Sequence, residues 1–253
     1  MAQQERLDIL YQDDWLVAIN KPSGLLVHRS MIDRSETRFA MQLLRDQLGQ
    51  HVFPLHRLDK PTSGVLLFAL SSDAARAASS LFADRQTSKT YLTVVRGHTP
   101  EAGLIDHPLK EELDKKTDRL ADADKAAQDA VTRFQCLAKV ELPIAVDRYP
   151  VARYSLVQCH PETGRKHQIR RHMKHISHPV IGDAKHGKSV HNRFFQEHFS
   201  AHRLLLAATR LGFTHPITGQ PLIINAPLDD TFRRVISALS WQDAVPSCWL
   251  GDI

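Results

Sequence analysis

Six consecutive apolar residues, Val65-Leu66-Leu67-Phe68-Ala69-Leu70, follow directly on the nonapeptide His56-Arg57-Leu58-Asp59-Lys60-Pro61-Thr62-Ser63-Gly64. A short, continuous apolar run bounded by turn residues reads as a buried strand, and the rest of the chain has to be organised around it. An arginine and a carboxylate two residues apart stand just ahead of the Pro-Thr-Ser-Gly turn that feeds this strand. Polar side chains on a loop pinned to a buried strand are held more rigidly than loop residues usually are, which suits catalysis. Taken alone, the nonapeptide also allows a plainer reading, with Asp59 capping the turn and Arg57 on the surface.

Ahead of this strand, Leu7–Tyr11 and Trp15–Ile19 read as two strands joined by Gln12-Asp13-Asp14, and Asn20–Gly24 as a turn leading to Leu25–His28. The spacing of Phe39, Leu43, Leu44 and Leu48 predicts a helix within 36–48, with Gly49 as its C-cap. Beyond it, Ser72-Asp73 opens an alanine-rich helix through about Arg85, with Leu81 and Phe82 facing the core. Lys89–Gly97 is β-branched and aromatic enough for a strand ended by glycine. Residues 110–129 mix charges without an apolar face and read as an exposed insertion. Strand patterns resume at 131–137 and 154–159, a basic helix is expected over 165–176, and strands at 210–214 and 222–224 flank the turn 216–219. A last helix begins at the acidic pair Asp229-Asp230 and runs to about Leu239, with a tail behind it. Mostly strands and a few helices in mixed order make this one α+β domain spanning 1–253.

Charge narrows the partners. Net charge is +5, the sequence pI is near 9.2, and fifteen histidines are held in reserve. Five Lys or Arg and three His fall between Arg165 and His175, a density that would engage several phosphates. Surface helices are often basic, so a solvated face is the alternative. His172, His175 and His178 suggest zinc only weakly, because no carboxylate or cysteine joins them at metal-site spacing. Gly182–Ser189 matches the phosphate-loop pattern letter for letter, but only Val180-Ile181 stands where a buried strand should precede it. Cys136, Cys159 and Cys248 are far apart and fit no metal spacing, so reduced thiols and a cytoplasmic location are expected. The N-terminus lacks the apolar core of a signal peptide, and no apolar run approaches the ~18 residues of a membrane span.

Several blocks, in order, resemble the RluA-type pseudouridine synthase family: VAINKPSGLLVH at 17–28, HRLDKPTSGVLL at 56–67, KTYLTVVRG at 89–97 and TGRKHQIRRHM at 163–173, then HPVIGDAKHG at 178–187, RLLLAATRL at 203–211 and THPITGQPL at 214–222. The resemblance implies a single catalytic domain with a mixed, largely antiparallel sheet and flanking helices. It implies isomerisation of uridine to pseudouridine without a cofactor or metal. Asp59 matches the essential aspartate, Arg170 the arginine that pairs with it, and Tyr91 the tyrosine whose ring lies against the base. Arg57 matches the side chain that enters the RNA stack when the uridine is flipped out, and His56, Thr62, Arg165, Lys166, His167 and Arg171 are expected to bind substrate. The 110–129 insertion and the lack of a preceding RNA-binding domain resemble tRNA-modifying members, which implies tRNA as partner, uridine 65 as target, and a monomer. A ribosomal-RNA synthase and a non-catalytic RNA-binding protein of the same fold are the alternatives. One departure stands out: where the family often has a histidine, this chain has Ala207.

Overall fold

The computed structural model describes residues 6–29, 36–111 and 126–251. The chain forms β1 (Asp8–Gln12), β2 (Leu16–Lys21), α1 (Ala40–Leu48), β3 (Phe53–Pro54), β4 (Ser63–Ala69), α2 (Ser72–Ala83), β5 (Ser88–Arg96) and β6 (Ala102–Asp106). It continues through β7 (Val131–Leu142), β8 (Ala152–Pro161), α3 (Gln168–His175), α4 (Ser189–Phe199), β9 (Leu206–Thr214), β10 (Pro221–Asn225), α5 (Asp230–Ala238) and α6 (Ser247–Leu250). The strands make one sheet in the order β1-β2-β4-β9-β5-β8-β7-β6, with β3 paired to β4 and β10 to β9. Every pairing is antiparallel except β4 with β9, which is parallel and short: Ser63 opposite Ala207 and Gly64 opposite Ala208.

Alternation along β4 decides the layers. All seven residues of the strand are buried. Val65, Leu67 and Ala69 pack with Ala74, Ala78 and Leu81 of α2, whereas Leu66 and Phe68 pack with Ala40 and Leu44 of α1. Side chains of a strand point to opposite faces in turn, so a strand apolar at every position needs a helix on each side. The other half of the sheet is covered by α4 and α5, with Phe194, Phe195, Phe232, Val235 and Ile236 against Leu92, Tyr154 and Leu156.

Gly64 lets the parallel seam close. Its φ is +113°, and a Cβ there would lie 2.1 Å from the carbonyl oxygen of Ala208. Only glycine meets both conditions.

Several expectations need correction. The basic segment is not one helix: α3 begins at Gln168, and His167, with φ of +56°, is its left-handed N-cap. The Gln168 side chain accepts from the Arg165 N–H at 3.0 Å and the Thr163 hydroxyl at 2.6 Å, and donates to the Val131 carbonyl at 3.0 Å. Those bonds hold Arg165, Lys166 and His167 in a loop against β7. The helix is not a solvated face either, since Arg170 and His172 are buried. The alanine-rich helix α2 opens at Ser72 as expected, with Ser71 capping it by accepting from the Ala74 N–H, but it ends at Ala83, two residues short of Arg85, which is left-handed at φ +57°.

β6, α4 and the full β7–β8 hairpin go beyond the sequence expectation. The tail packs: Trp241 and Trp249 are buried, and the Leu228 N–H donates to the Trp249 carbonyl at 2.7 Å. Large aromatic surfaces drive that burial despite the interruption at Pro246. Most of the charged insertion, 112–125, lies outside the described residues; at its base Leu109 and Gln128 exchange backbone hydrogen bonds of 2.9 and 3.0 Å.

Candidate active site

The loop carrying Asp59 is fastened from below before it enters β4. The Thr62 N–H donates to the Asp59 carbonyl at 3.0 Å and closes the turn. Beneath it, the fully buried Lys21 donates from Nζ to the carbonyls of Pro22, Leu25 and Lys60 at 2.9, 2.8 and 3.1 Å. Burial, with Arg203 adding to it and Asp59 opposing, draws the Lys21 ammonium down to about 7. Arg203 joins the ends of three elements: it bonds Ser63 Oγ at 3.0 Å, the Leu206 carbonyl at 3.1 Å, and the Asp229 carboxylate that caps α5.

Above this foundation lies a cleft of about 620 Å³. Of the residues singled out from the sequence, Asp59, Tyr91, Arg170, Arg57, His56, Thr62, Arg165, Lys166 and His167 line it. Arg171 does not. Its NH1 donates to the Lys110 carbonyl at 2.8 Å, because one residue further along a helix turns the side chain away from the face that Arg170 presents.

The centre of the cleft is an ion-paired chain. Arg170 NH1 donates to Asp59 Oδ2 at 3.0 Å, while Nε and NH2 grip Asp183 Oδ2 and Oδ1 at 2.7 and 2.8 Å. Asp183 is buried and also accepts from the backbone N–H groups of Lys185 and His186, each at 2.9 Å. Burial by itself would raise the Asp183 carboxyl; the bonds from Arg170 and those N–H groups outweigh it and hold the group below its ordinary range. The opposite balance raises Arg170: burial lowers it, and the two carboxylates more than compensate. The Asp59 side chain keeps 27% of its surface exposed, against 6% for Arg170, so the carboxylate faces the cleft while its partner stays behind it.

Tyr91, on β5 opposite Ala208, supplies a ring beside Asp59. Burial, and then the Asp59 charge, push its phenol above the ordinary value, so it stays protonated at neutral pH. His56 is occupied structurally: Nε2 accepts from the Leu67 N–H at 3.1 Å, and the ring stacks on Phe82 with centroids 4.7 Å apart. Burial, aided by Lys89, brings it down to about 4, so this imidazole is neutral. Arg57 and Lys166 are exposed at the mouth of the cleft, giving it a cationic lip.

Asp183, His186, Lys21 and Arg203 carry site geometry that sequence reasoning did not assign. Asp183 and His186 sit within the phosphate-loop look-alike, where they brace Arg170 and contact His167. A single carboxylate in a strongly basic stretch was the available signal for Asp183. Ala207, the departure from the family pattern, is buried behind the sheet with Leu92 and Phe232, while its neighbour Leu206 lines the cleft. The substitution therefore leaves the cleft lining unchanged. His172 bonds Thr132 and the His107 carbonyl, and His178 bonds the Arg96 carbonyl. Among the described residues no group of three ligand-type side chains is arranged to hold a metal ion.

Comparison with known proteins gives consistent matches. A family model described as RNA pseudouridylate synthase matches residues 15–175. The tRNA pseudouridine synthase C of Vibrio cholerae is 57% identical over 239 residues, covering 94% of this chain and 98% of its own. The protein of the same name from Pasteurella multocida is 55% identical over 236 residues, covering 93% and 97%. Among solved structures, human RNA Pseudouridylate Synthase Domain Containing 4 superposes with a TM-score of 0.67 at 28% identity, over 92% of this chain and 93% of that one.

Proposed function

The chain belongs to the RNA pseudouridylate synthase family, in its RluA-type branch, and from that premise we propose that it converts one uridine of tRNA, uridine 65, to pseudouridine at the Asp59 cleft. As a member of that family the protein is an isomerase. The observation that carries the site assignment is the Asp59 carboxylate, held at 3.0 Å by a buried arginine and open to a cleft wide enough for a nucleotide. The tRNA substrate is supported by the relatives named above.

In this reading the target uridine is flipped out of the stack, and Arg57 at the lip enters the gap. Extrusion costs a few kcal/mol, which replacement contacts offset. Asp59 assists cleavage of the bond between N1 of uracil and C1′ of the ribose. The detached base turns against the Tyr91 ring and rejoins through C5. Arg170 keeps the carboxylate oriented throughout, because a charge-assisted bond from a braced guanidinium fixes direction as well as distance.

The test is to incubate the purified protein with unmodified tRNA transcripts and map pseudouridine by carbodiimide labelling and primer extension. A single stop at uridine 65 is expected. A stop only on ribosomal-RNA fragments would move the substrate while keeping the chemistry. Tight binding with no stop on either RNA would refute an active enzyme.

A further inference from the structure

Isomerisation of uridine moves protons as well as a glycosidic bond. The N1–C1′ bond breaks and C5 bonds to C1′. The C5–H proton then leaves, its electron pair returns to the ring, and N1 takes a proton from solvent. The cleft therefore needs a base within reach of C5. Tyr91 remains a protonated phenol, and His56 has its Nε2 committed to the Leu67 N–H. The guanidiniums of Arg57, Arg85 and Arg165 cannot accept. Lys89, Glu111 and Glu162 also line the cleft; Lys89 is drawn toward its neutral form by burial and then by Arg85, and the exposed Glu162 pairs with Arg133 at 2.6 Å.

His167 is placed differently. Its Nε2 stands 4.0 Å from Asp59 Oδ2, and its Nδ1 is 3.0 Å from Nε2 of the buried His186. The His186 backbone N–H is bonded to the same Asp183 oxygen that Arg170 NH2 grips. Asp59, Arg170, Asp183, His186 and His167 thus form a closed ring of contacts in which one imidazole faces the reacting carboxylate and a second orients it. The hydrogen bond between the two imidazoles orients the His167 ring, and with the proton on Nδ1 the Nε2 lone pair faces the cleft, as general-base catalysis requires.

We infer that His167 is a further catalytic residue, accepting the C5 proton on Nε2 while its Nδ1–H donates to His186. The inference rests on the cleft's being the uridine site. It differs from a general RNA-binding role for this histidine because it assigns one proton transfer.

The left-handed backbone at His167 makes the test clean, since glycine adopts φ near +56° without steric cost and asparagine with little. Single-turnover rates are measured on tRNA transcripts containing uridine or 5-deuterouridine, with parent, His167→Gly and His167→Asn. Both variants should lose about 10²–10⁴-fold in rate while RNA affinity stays within a few-fold. Their C5 deuterium isotope effect should exceed the parent's, and added imidazole should restore turnover to His167→Gly. If His167→Gly does not fold, the rate and isotope effect of His167→Asn decide. Parental rates in the variants would overturn the inference, and so would a loss with neither an enlarged isotope effect nor imidazole rescue. A parent that makes no pseudouridine would overturn both the reading of the cleft and this inference.

Discussion

Arg170 spends two of its three nitrogens on Asp183, at 2.7 and 2.8 Å, and only the third reaches Asp59. The direction of the half-buried carboxylate is therefore set by one whose side chain is fully buried. Asp183→Asn should lower turnover about 10²-fold through misplacement of Arg170 and Asp59. It should also destabilise the fold by about 3–5 kcal/mol, because it removes one partner of a buried ion pair. Urea denaturation and single-turnover kinetics on the same preparation separate the two effects. A variant with parental activity would mean that Asp59 orients itself.

The same pair gives a pH signature. The Asp183 carboxyl lies lower in the folded protein than its ordinary value of 3.8, so the unfolded chain takes up that proton first as pH falls. Its contribution is complete above about pH 4 and is lost as pH drops through the folded value. Stability against pH, measured by denaturant midpoint, should fall less steeply below about pH 4 in Asp183→Asn than in the parent. An identical acid limb would show that other carboxylates dominate it.

Asp59→Asn tests the proposed role of the carboxylate in the reaction. It keeps the shape and a hydrogen-bond acceptor for Arg170 but removes the charge, which is needed in the transition state more than in the bound ground state. Turnover should fall below detection while RNA affinity stays within a few-fold. Appreciable product from this variant would remove Asp59 from the chemistry.

Much of the scaffold was legible because β4 announces itself as an unbroken apolar run and its alternation requires helices on both faces. The helix ends at Gly49 and at the acidic pair Asp229-Asp230 were legible for similar local reasons: the glycine is left-handed at φ +68°, and the pair marks the start of α5, where Asp229 accepts from the Phe232 N–H. The basic segment was not, since charge density says nothing about which arginine turns inward. Arg170 is buried by a carboxylate thirteen positions away in the chain, and Arg171 is turned elsewhere by one step of helical rotation. Lys21 was hidden for the opposite reason. A lysine in a turn reads as surface, yet three carbonyls converge on its ammonium.

Salt dependence distinguishes the cleft lip from the rest of the basic surface. Arg85 and Lys166 are exposed residues that line the cleft, whereas Lys174 is exposed on α3 and does not line it. Replacing Arg85 and Lys166 with alanine should weaken tRNA binding and flatten the plot of log affinity against log salt by about 0.7–0.9 for each phosphate that is no longer neutralised. Lys174→Ala should leave the slope unchanged. Equal slopes for the double and single variants would place the RNA on another face.

Gly64→Ala probes the seam on which the site is built. The added methyl group meets the Ala208 carbonyl at 2.1 Å, and the backbone at φ +113° is one that L-residues rarely adopt. Steric overlap and backbone strain act together, each of order 1–3 kcal/mol. The two strands have only the Ser63–Ala207 and Gly64–Ala208 pairs in common, so little pairing resists their separation. Separation would shift Thr62 and Asp59 at the head of β4 relative to Tyr91 of β5, which is itself paired with Ala208 of β9. The expected result is a loss of about 2–5 kcal/mol in stability together with a fall in kcat larger than any change in RNA affinity. Chemical denaturation and single-turnover assays check both. A stable, fully active Gly64→Ala protein would mean that the β4–β9 pairing does not set the position of Asp59.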